Sequence, residues 1–316
     1  MRKILFGLLL AIAMIPIAII ALSAPAFPPA MASMSTSDEQ STPDFPVPRQ
    51  FQARDGSSLQ YRAYPAAPDK VAILIHGSAF PGTSMHALAE ALRTAGLTVY
   101  VPDIRGHGGS GRRGDIDYIG QIDDDLADFV AQLGPAKSGE TRTLVGFSAG
   151  AGFTIRFAGG PYGLLFDRYV FLAPILSGSP TLRPRSGGWV SVSVPRVVTI
   201  ASLDSVGIHA FDGYPVLNYA VSPELSRWVT ASYSYRLMIN FGAGSEHQVY
   251  LKNIRRPAAI LVGSADEQEL ADQFASYLQR LDVNIPVTIV PDMRHADMIK
   301  ASGALPAVVR AVMPRE

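Results

Sequence analysis

Short runs of consecutive apolar residues, separated by segments with helical spacing, constrain the fold of this chain more than any other feature. Residues 71–75, 97–101 and 143–147 are such runs, and residues 85–95 have the spacing of an amphipathic helix. Strands that are apolar on both faces are typical of a parallel sheet covered by helices on both sides. The pattern therefore predicts an α/β fold built from strand-helix-strand units.

The same alternation continues to the end of the chain. Further strands are predicted at 168–172, 258–262 and 285–290, and further helices at 123–133, directly after Ser148, at 267–281 and at 304–312. Before the first buried run, two short alternating segments flank Asp55-Gly56, a dipeptide typical of tight hairpin turns. We expect this hairpin, residues 51–54 and 59–64, to be an antiparallel edge of a mainly parallel sheet.

One stretch, about residues 176–255, does not follow this alternation. It is only weakly periodic, is interrupted by Gly and Pro, and is rich in aromatic residues: Trp189, Phe211, Tyr214, Tyr219, Trp228, Tyr233 and Tyr235. Ligand sites of α/β sheets form at the carboxyl ends of the strands. We interpret the stretch as an inserted lid over that edge.

The N-terminus forms a segment of its own. Arg2 and Lys3 precede an uncharged apolar stretch from residue 4 to about 24, which has roughly the 20 residues that span a bilayer. That length favours an uncleaved membrane anchor, but small residues at 24–26 and 30–32 also fit a cleaved signal. Both alternatives place the remainder outside the inner membrane. Residues 25–48 are predicted to be a flexible linker, and residues 49–316 the folded domain.

Composition excludes several classes of function. The chain has 316 residues with 27 Lys and Arg against 27 Asp and Glu, so its formal net charge is zero. A chain without a basic surface is a poor candidate for nucleic-acid binding. Because the sequence has no cysteine, disulfides, thiolate metal sites and cysteine nucleophiles are excluded as well.

The pentapeptide Gly146-Phe147-Ser148-Ala149-Gly150 is the strongest indication of chemistry. It lies where a buried strand is predicted to end and a helix to begin. A serine at so sharp a turn needs small neighbours two residues to either side, because larger side chains would collide with the adjacent strand and helix. We therefore predict Ser148 to be a nucleophile whose Oγ is lifted above the sheet by this turn.

A serine hydroxyl needs a base that is itself oriented by a carboxylate. His295 follows the strand predicted at 285–290, close to the edge where Ser148 emerges, and is the predicted base. Asp266 follows the strand predicted at 258–262 and is the predicted acid, although an Asp there also fits a helix N-cap. Glu267 and Asp292 are the alternative acids.

Main-chain donors are expected to complete the site. The backbone N–H groups of Ser78, after His76-Gly77, and of Ala149 are predicted to form an oxyanion hole. The other histidines are not predicted to be catalytic. His76 and His107 lie in glycine turns, and His86, His209 and His247 lie on a helix or in the insertion.

From about residue 51 to 312, the chain resembles the α/β-hydrolase superfamily, and within it the serine hydrolases that include lysophospholipases, monoacylglycerol lipases and serine aminopeptidases. Besides the pentapeptide, Pro-Asp-Ile-Arg-Gly-His-Gly-Gly-Ser at 102–110 is similar to a turn that supports the active-site floor in that family. The resemblance implies Ser148, Asp266 and His295 as catalytic residues. It departs from the family at Arg294, where a glycine usually precedes the histidine.

These residues predict a serine hydrolase that acts through an acyl-enzyme and needs no metal or organic cofactor. The aromatic, weakly charged insertion favours lipid or small acyl esters as substrates. An aminopeptidase or amidase is the enzymatic alternative, with Glu224 and Glu246 as the insertion's only glutamates for holding a substrate amine. A non-catalytic binding protein that keeps the fold is the second alternative. Epoxide hydrolysis and dehalogenation are disfavoured, since relatives with those activities have Asp where Ser148 stands.

Overall fold

A computed structural model describes residues 14–31 and 44–313. The strands are β1 (Arg49–Gln52), β2 (Ser58–Tyr64), β3 (Ala67–Ile75), β4 (Leu97–Pro102), β5 (Thr141–Phe147), β6 (Arg168–Leu172), β7 (Val190–Val192), β8 (Pro215–Tyr219), β9 (Ser232–Ser234), β10 (Ala258–Gly263) and β11 (Val287–Val290). Eight of them form one sheet in the order β1-β2-β4-β3-β5-β6-β10-β11. The predicted hairpin β1–β2 is its antiparallel edge, with Arg49 opposite Tyr61, and the pairs from β4 to β11 are parallel.

Helices cover both faces of this sheet, as the doubly apolar strands predicted. They are α1 (His86–Thr94), α2 (Gln121–Gln132), α3 (Ala149–Gly159), α4 (Val194–Asp204), α5 (Tyr235–Asn240), α6 (His247–Asn253), α7 (Gln273–Arg280) and α8 (Leu305–Val312). Successive residues of β3 alternate between two buried clusters. Ile73 and Ile75 pack with α2, α3 and α7, whereas Ala72 and Leu74 pack with α1 and α8.

The helix predicted at 267–281 is wrong in its first part, because α7 begins only at Gln273. The preceding residues pair with the insertion instead. Arg183 N–H donates to the Gln268 carbonyl at 2.9 Å, and Leu270 N–H donates to the Thr181 carbonyl at 2.7 Å. These backbone groups are satisfied outside a helix, so the apolar spacing of 268–272 does not fold into one.

The insertion between β6 and β10 has a small sheet of its own. Its three antiparallel strands have the order β7-β8-β9, and the helices α4, α5 and α6 belong to the same part of the chain. The strands have only three to five residues each, which explains why the sequence shows so little periodicity there. Tyr219 and Tyr233 of this sheet join the core cluster that includes α3.

Residues 14–22 are helical and lie against the insertion. Ile20, 1% exposed, packs in a cluster with Ile200, Val216 and Tyr235. Further along the segment, the backbone carbonyl of Pro25 accepts a hydrogen bond from the Asn218 side chain of the insertion at 2.8 Å. Residues 25–31 thus lie on the folded part, which corrects their assignment to a flexible linker.

The remainder of the predicted N-terminal segments lies outside the described residues, namely residues 1–13 of the anchor or signal and residues 32–43 of the linker. Residues 314–316 at the end of the predicted domain lie outside them as well. Within the described ranges, no helix combines the length and the apolar character needed to cross a bilayer.

Candidate active site

Ser148 occupies a strained turn between β5 and α3. Its φ is +57°, in the left-handed region that side chains rarely adopt, and its N–H donates to the Leu172 carbonyl of the adjacent strand at 2.9 Å. A Cβ on Gly150 would lie 2.1 Å from the His76 carbonyl oxygen, and one on Gly146 would lie 2.5 Å from the Gly150 carbonyl oxygen. Both glycines are therefore required by close backbone approach, as the pentapeptide predicted.

The structure brings His295 between Ser148 and Asp266. The imidazole Nε2 lies 2.8 Å from Ser148 Oγ, and Nδ1 lies 2.8 Å from Asp266 Oδ2. An ionised carboxylate only accepts hydrogen bonds, so Nδ1–H is the donor to Asp266. In the neutral ring, Nε2 is then the acceptor for the serine hydroxyl. All three residues are buried, which keeps water from competing for these hydrogen bonds.

Asp266 does not cap a helix, because α7 begins only at Gln273. Its second oxygen, Oδ1, accepts the backbone N–H groups of Gln268 and Glu269 at 2.8 and 3.0 Å. One carboxylate thus holds the turn with Oδ1 and faces the imidazole with Oδ2. The helix N-cap interpretation of Asp266 is therefore wrong, and the two backbone N–H groups that it accepts belong to a turn.

Neither alternative acid, Glu267 or Asp292, has a hydrogen bond to the imidazole; their hydrogen bonds involve backbone N–H groups of the loop that carries His295. Glu267 Oε2 accepts the His295 N–H at 3.0 Å, and the Asp292 N–H donates to Ser264 Oγ at 2.8 Å. Ser264 therefore holds the loop between β11 and His295. Asp292, with φ +58°, has the left-handed conformation in this loop. Since Arg294 is not among the positive-φ residues, no glycine is needed immediately before His295.

Ser78 and Ala149 line one cavity of about 400 Å³. Ser78 follows β3 and Ala149 is the first residue of α3, so both backbone N–H groups lie at the carboxyl edge of the sheet. An N–H in the first turn of a helix has no acceptor within that helix. Across the described chain, neither N–H donates to another protein group. The two are therefore available to a negative oxygen beside Ser148.

The insertion holds the segment that carries Ser78. Trp189 Nε1–H donates to Ser78 Oγ at 3.0 Å, and the Ala79 N–H donates to the Tyr233 hydroxyl at 2.9 Å. The Tyr233 hydroxyl in turn donates to His107 Nε2. Sequence reasoning missed Trp189 and Tyr233 as partners of this segment, because aromatic composition alone does not specify hydrogen bonds.

The remaining histidines have structural partners. His76 Nδ1–H donates to the Gly77 carbonyl at 2.8 Å, while its Nε2 accepts the Ile104 N–H at 3.0 Å. Burial lowers the pKa of His76 and lowers that of His107 well below its usual range, so both rings are neutral. His86 and His247 bond to tyrosine hydroxyls.

The turn at 102–110 supports the floor beneath the site. Asp103 Oδ1 accepts the Gly82 N–H at 2.7 Å, and Oδ2 accepts the Gly109 N–H at 3.0 Å. The Arg105 guanidinium forms a buried two-point ion pair with Asp125. These contacts join the turn to its neighbours, which agrees with a supporting role for Asp103.

The cavity that Ser78 and Ala149 line is mainly apolar. Its lining residues include Ile175, Leu182, Trp189, Val190, Val192, Leu217, Met238, Ile239 and Phe241. Arg185 is the one charged residue among the described residues that line it, and neither Glu224 nor Glu246 is among them. A substrate group in this cavity therefore meets mainly apolar surface, a few hydroxyls and the Arg185 side chain, and no carboxylate of the described residues.

Among residues 14–31 and 44–313, one group has a geometry that could hold a metal ion: Asp204, His209 and Asp212 of the insertion. His209 Nδ1 lies 2.6 Å from Asp204 and 3.2 Å from Asp212, and the hydrogen bond to Asp204 raises the pKa of the imidazole. The Nδ1–H of His209 thus joins the two carboxylates without an ion.

Glu269 is a buried carboxyl next to the site. It is 1% exposed, and within the described chain neither side-chain oxygen has a hydrogen-bond partner. Burial, together with repulsion from Asp266, raises the pKa of Glu269 well above its usual range. The group is therefore neutral in the folded protein under conditions where it ionises in the unfolded chain.

We expect Glu269→Gln to stabilise the protein increasingly as pH rises. A raised folded pKa gives stability that is present below the unfolded pKa and is lost as pH rises through the folded pKa. Glutamine keeps the size and removes the ionisation. The melting temperature of the variant should exceed that of the native protein by a few degrees more at about pH 8 than at about pH 5. Asp272→Asn, at an exposed carboxylate nearby, is the control; equal pH profiles for all three proteins would contradict the assignment.

The fold, together with the hydrogen-bonded residues Ser148, His295 and Asp266 at the carboxyl edge of its sheet, defines an α/β hydrolase. The model of the serine aminopeptidase S33 family matches residues 66–296. The chain belongs to this family. No curated protein matches it in sequence.

Solved structures with the same fold include a monoacylglycerol lipase from Paleococcus ferrophilus, 20% identical, with a TM-score of 0.60 over 80% of this chain and 98% of that one. A soluble variant of monoglyceride lipase from Saccharomyces cerevisiae, in complex with a substrate analogue, is 18% identical, with a TM-score of 0.63 over 84% and 93%. An N-formylmaleamic acid deformylase from Pseudomonas putida is 21% identical, with a TM-score of 0.58 over 83% and 100%. At these identities the likeness establishes the fold.

Proposed function

We propose that the protein is a serine hydrolase that cleaves carboxylic esters of lipid or small acyl type. The observation that carries this proposal is the buried chain of hydrogen bonds from Ser148 Oγ through His295 to Asp266, with 2.8 Å at each step. A hydroxyl becomes a nucleophile when a base accepts its proton and a carboxylate orients that base.

In the proposed mechanism, Ser148 Oγ attacks the acyl carbonyl while its proton passes to His295 Nε2. Asp266 stabilises the imidazolium through Nδ1–H. The tetrahedral intermediate expels the alcohol, which takes the proton from His295, and leaves an acyl-enzyme on Ser148. Water then attacks the acyl group while His295 accepts its proton; the bond to Ser148 Oγ breaks, Oγ takes that proton back from His295, and the acid is released. In both acylation and deacylation, the N–H groups of Ser78 and Ala149 stabilise the negative charge that develops on the carbonyl oxygen.

The lining of the cavity favours esters over aminoacyl substrates. An aminopeptidase needs an anion for the substrate's ammonium group, and no Asp or Glu is among the described residues that line the cavity. An ammonium left without a partner costs about 1–3 kcal/mol or more. An acyl chain, by contrast, gains free energy from contact with the apolar lining. We propose that the insertion is a lid that covers the acyl chain of the substrate.

Labelling with a fluorophosphonate tests the nucleophile. We expect the purified protein to be labelled, since only an activated serine reacts readily with such a probe. Ser148→Ala should abolish labelling, whereas Ser177→Ala, at a serine that lines the cavity, should preserve it. A folded native protein that is not labelled would favour the non-catalytic binding protein.

Comparing two substrates tests the ester preference. We expect kcat/KM for a medium-chain nitrophenyl ester to exceed that for an aminoacyl anilide by at least about tenfold, from the cost of the unpaired ammonium. Steady-state kinetics with Ser148→Ala as the blank measures both. The reverse ranking would favour the aminopeptidase or amidase instead.

The location of the protein is also a proposal. We propose that the catalytic domain lies outside the inner membrane, either with the N-terminal segment retained as an anchor or after cleavage of a signal. The intact mass of the mature protein distinguishes the two.

A further inference from the structure

An apolar surface extends across the N-terminal helix and α4. We define the apolar face by Met14, Ile15, Ile17 and Leu22 of the N-terminal segment together with Val192, Val194 and Val198 of the insertion. Each is between 41% and 88% exposed. The two parts are held side by side, because Ile20 packs against Ile200 and the Ser193 hydroxyl donates to the Ser23 carbonyl at 2.5 Å.

This face is free of exposed charge. Residues 14–31 contain no Lys, Arg, Asp or Glu, and between 187 and 203 the single charged residue is Arg196. Arg196 is 5% exposed and donates to the Pro215 carbonyl at 2.7 Å, so its charge points away from solvent. A helix that faces water ordinarily carries charged side chains on its outer face. Adjacent exposed apolar side chains without charges indicate a surface that meets another apolar phase.

The apolar face reaches the candidate active-site cavity. Val192 belongs to the face and also lines the cavity. Met238 and Ile239 line the cavity from the inside and pack against the cluster that contains Ile20. The apolar face and the cavity that Ser78 and Ala149 line therefore share Val192 and lie on two sides of the same apolar cluster.

We propose that the apolar face rests on the surface of a lipid bilayer and that the substrate passes from the bilayer into the cavity past Val192. The sequence connects the face to a lipid phase, because the uncharged stretch that starts at residue 4 after Arg2 and Lys3 continues into it. Apolar side chains on one side of a helix bind at the boundary of headgroups and acyl chains. Since the face has no charge, this contact needs no anionic lipid. The valines of α4 belong to it whether or not the N-terminal segment is retained.

The passage of substrate rests on the proposed function, whereas the contact with lipid does not. Binding is therefore measured on full-length Ser148→Ala as well as on the native chain, by co-sedimentation with phosphatidylcholine vesicles. We expect both to bind equally, and Val194→Asp/Val198→Asp to bind at least about tenfold more weakly, because buried apolar contact is replaced by charges. The vesicle affinity of Val194→Ser/Val198→Ser should lie between those of the native protein and the Asp variant. This milder variant keeps the test valid if the Asp variant does not fold.

The matched control places the same change elsewhere. Leu164 and Val249 are 59% and 53% exposed and lie outside the apolar face, so Leu164→Asp/Val249→Asp should bind vesicles like the native protein. If the proposed function also holds, Val194→Asp/Val198→Asp should keep the native rate on a water-soluble ester and lose rate on an ester embedded in vesicles.

Three results would overturn the proposal. The first is a native chain that does not sediment with phosphatidylcholine vesicles, or does so only with anionic lipid at low salt. The second is equal binding by folded Val194→Asp/Val198→Asp. The third is a native dimer in light scattering that those substitutions dissociate without any vesicle binding, which would assign the face to a second copy of this chain. Absence of esterase activity with normal vesicle binding would reject the proposed function alone.

Discussion

Replacing Ser148 by Ala is expected to lower kcat for an ester by about 10⁶-fold, and His295→Ala is expected to do the same. The double variant should lose no more than either single one, because the hydroxyl and the imidazole act as one unit. His295 Nε2 lies 2.8 Å from Ser148 Oγ, and each proton that it moves in the proposed chemistry accompanies the making or breaking of the acyl bond to Ser148. Single-turnover measurements on a chromogenic ester give the three values.

Asp266→Asn refines this prediction. An amide in place of the carboxylate can donate to Nδ1 and so favour the wrong imidazole tautomer, and we expect a loss of about 10⁴-fold. Glu267→Gln should have a much smaller effect, since Glu267 accepts the backbone N–H of His295 and does not contact the ring. Multiplicative losses for Ser148 and His295, or equal losses for Asp266 and Glu267, would contradict the assigned roles.

Gly150→Ala is expected to cause a loss of stability that is unusually large for the addition of one methyl group. The added Cβ would lie 2.1 Å from the His76 carbonyl oxygen and 2.8 Å from that of Ile75, both of them backbone atoms at the end of β3. Neither can move without displacing the strand. We expect the free energy of unfolding to fall by about 4 kcal/mol or more, or the protein not to accumulate in folded form.

Gly242→Ala provides the comparison, because nothing lies within 4 Å of a Cβ at that position. Its effect should stay within about 0.5 kcal/mol. Urea unfolding followed by circular dichroism measures both variants. A Gly150→Ala protein as stable as Gly242→Ala would mean that the turn around Ser148 is looser than its backbone geometry indicates.

The sheet could be predicted because its signal is local. Each central strand is apolar on both faces, and residues such as Ala72 and Ile73 reach opposite clusters through the simple alternation of a strand. The positions of Ser148, Asp266 and His295 follow from the same regularity, since each lies within a few residues of the carboxyl end of a parallel strand, and those ends share one edge of the sheet. Sequence reasoning could therefore bring these residues together without knowing any contact between them.

Other features depend on contacts between distant segments. The spacing of residues 268–270 predicts a helix, but these residues pair with residues 181–183 of the insertion. The partners of Ser78 and Ala79, Trp189 and Tyr233, lie more than a hundred residues away. The packing of Ile20 on Ile200 was missed for the same reason, because an apolar stretch at a terminus indicates a membrane segment by its composition alone.

The hydrogen bonds from Trp189 to Ser78 and from Ala79 to Tyr233 join the insertion to the proposed oxyanion hole. In a design that exchanges this insertion for that of a relative, a donor to the oxyanion would lose its two supports along with the old substrate contacts. The rate constant of the chemical step would then change together with selectivity. Modular replacement would succeed only if the new segment supplied an indole and a phenol at the same places.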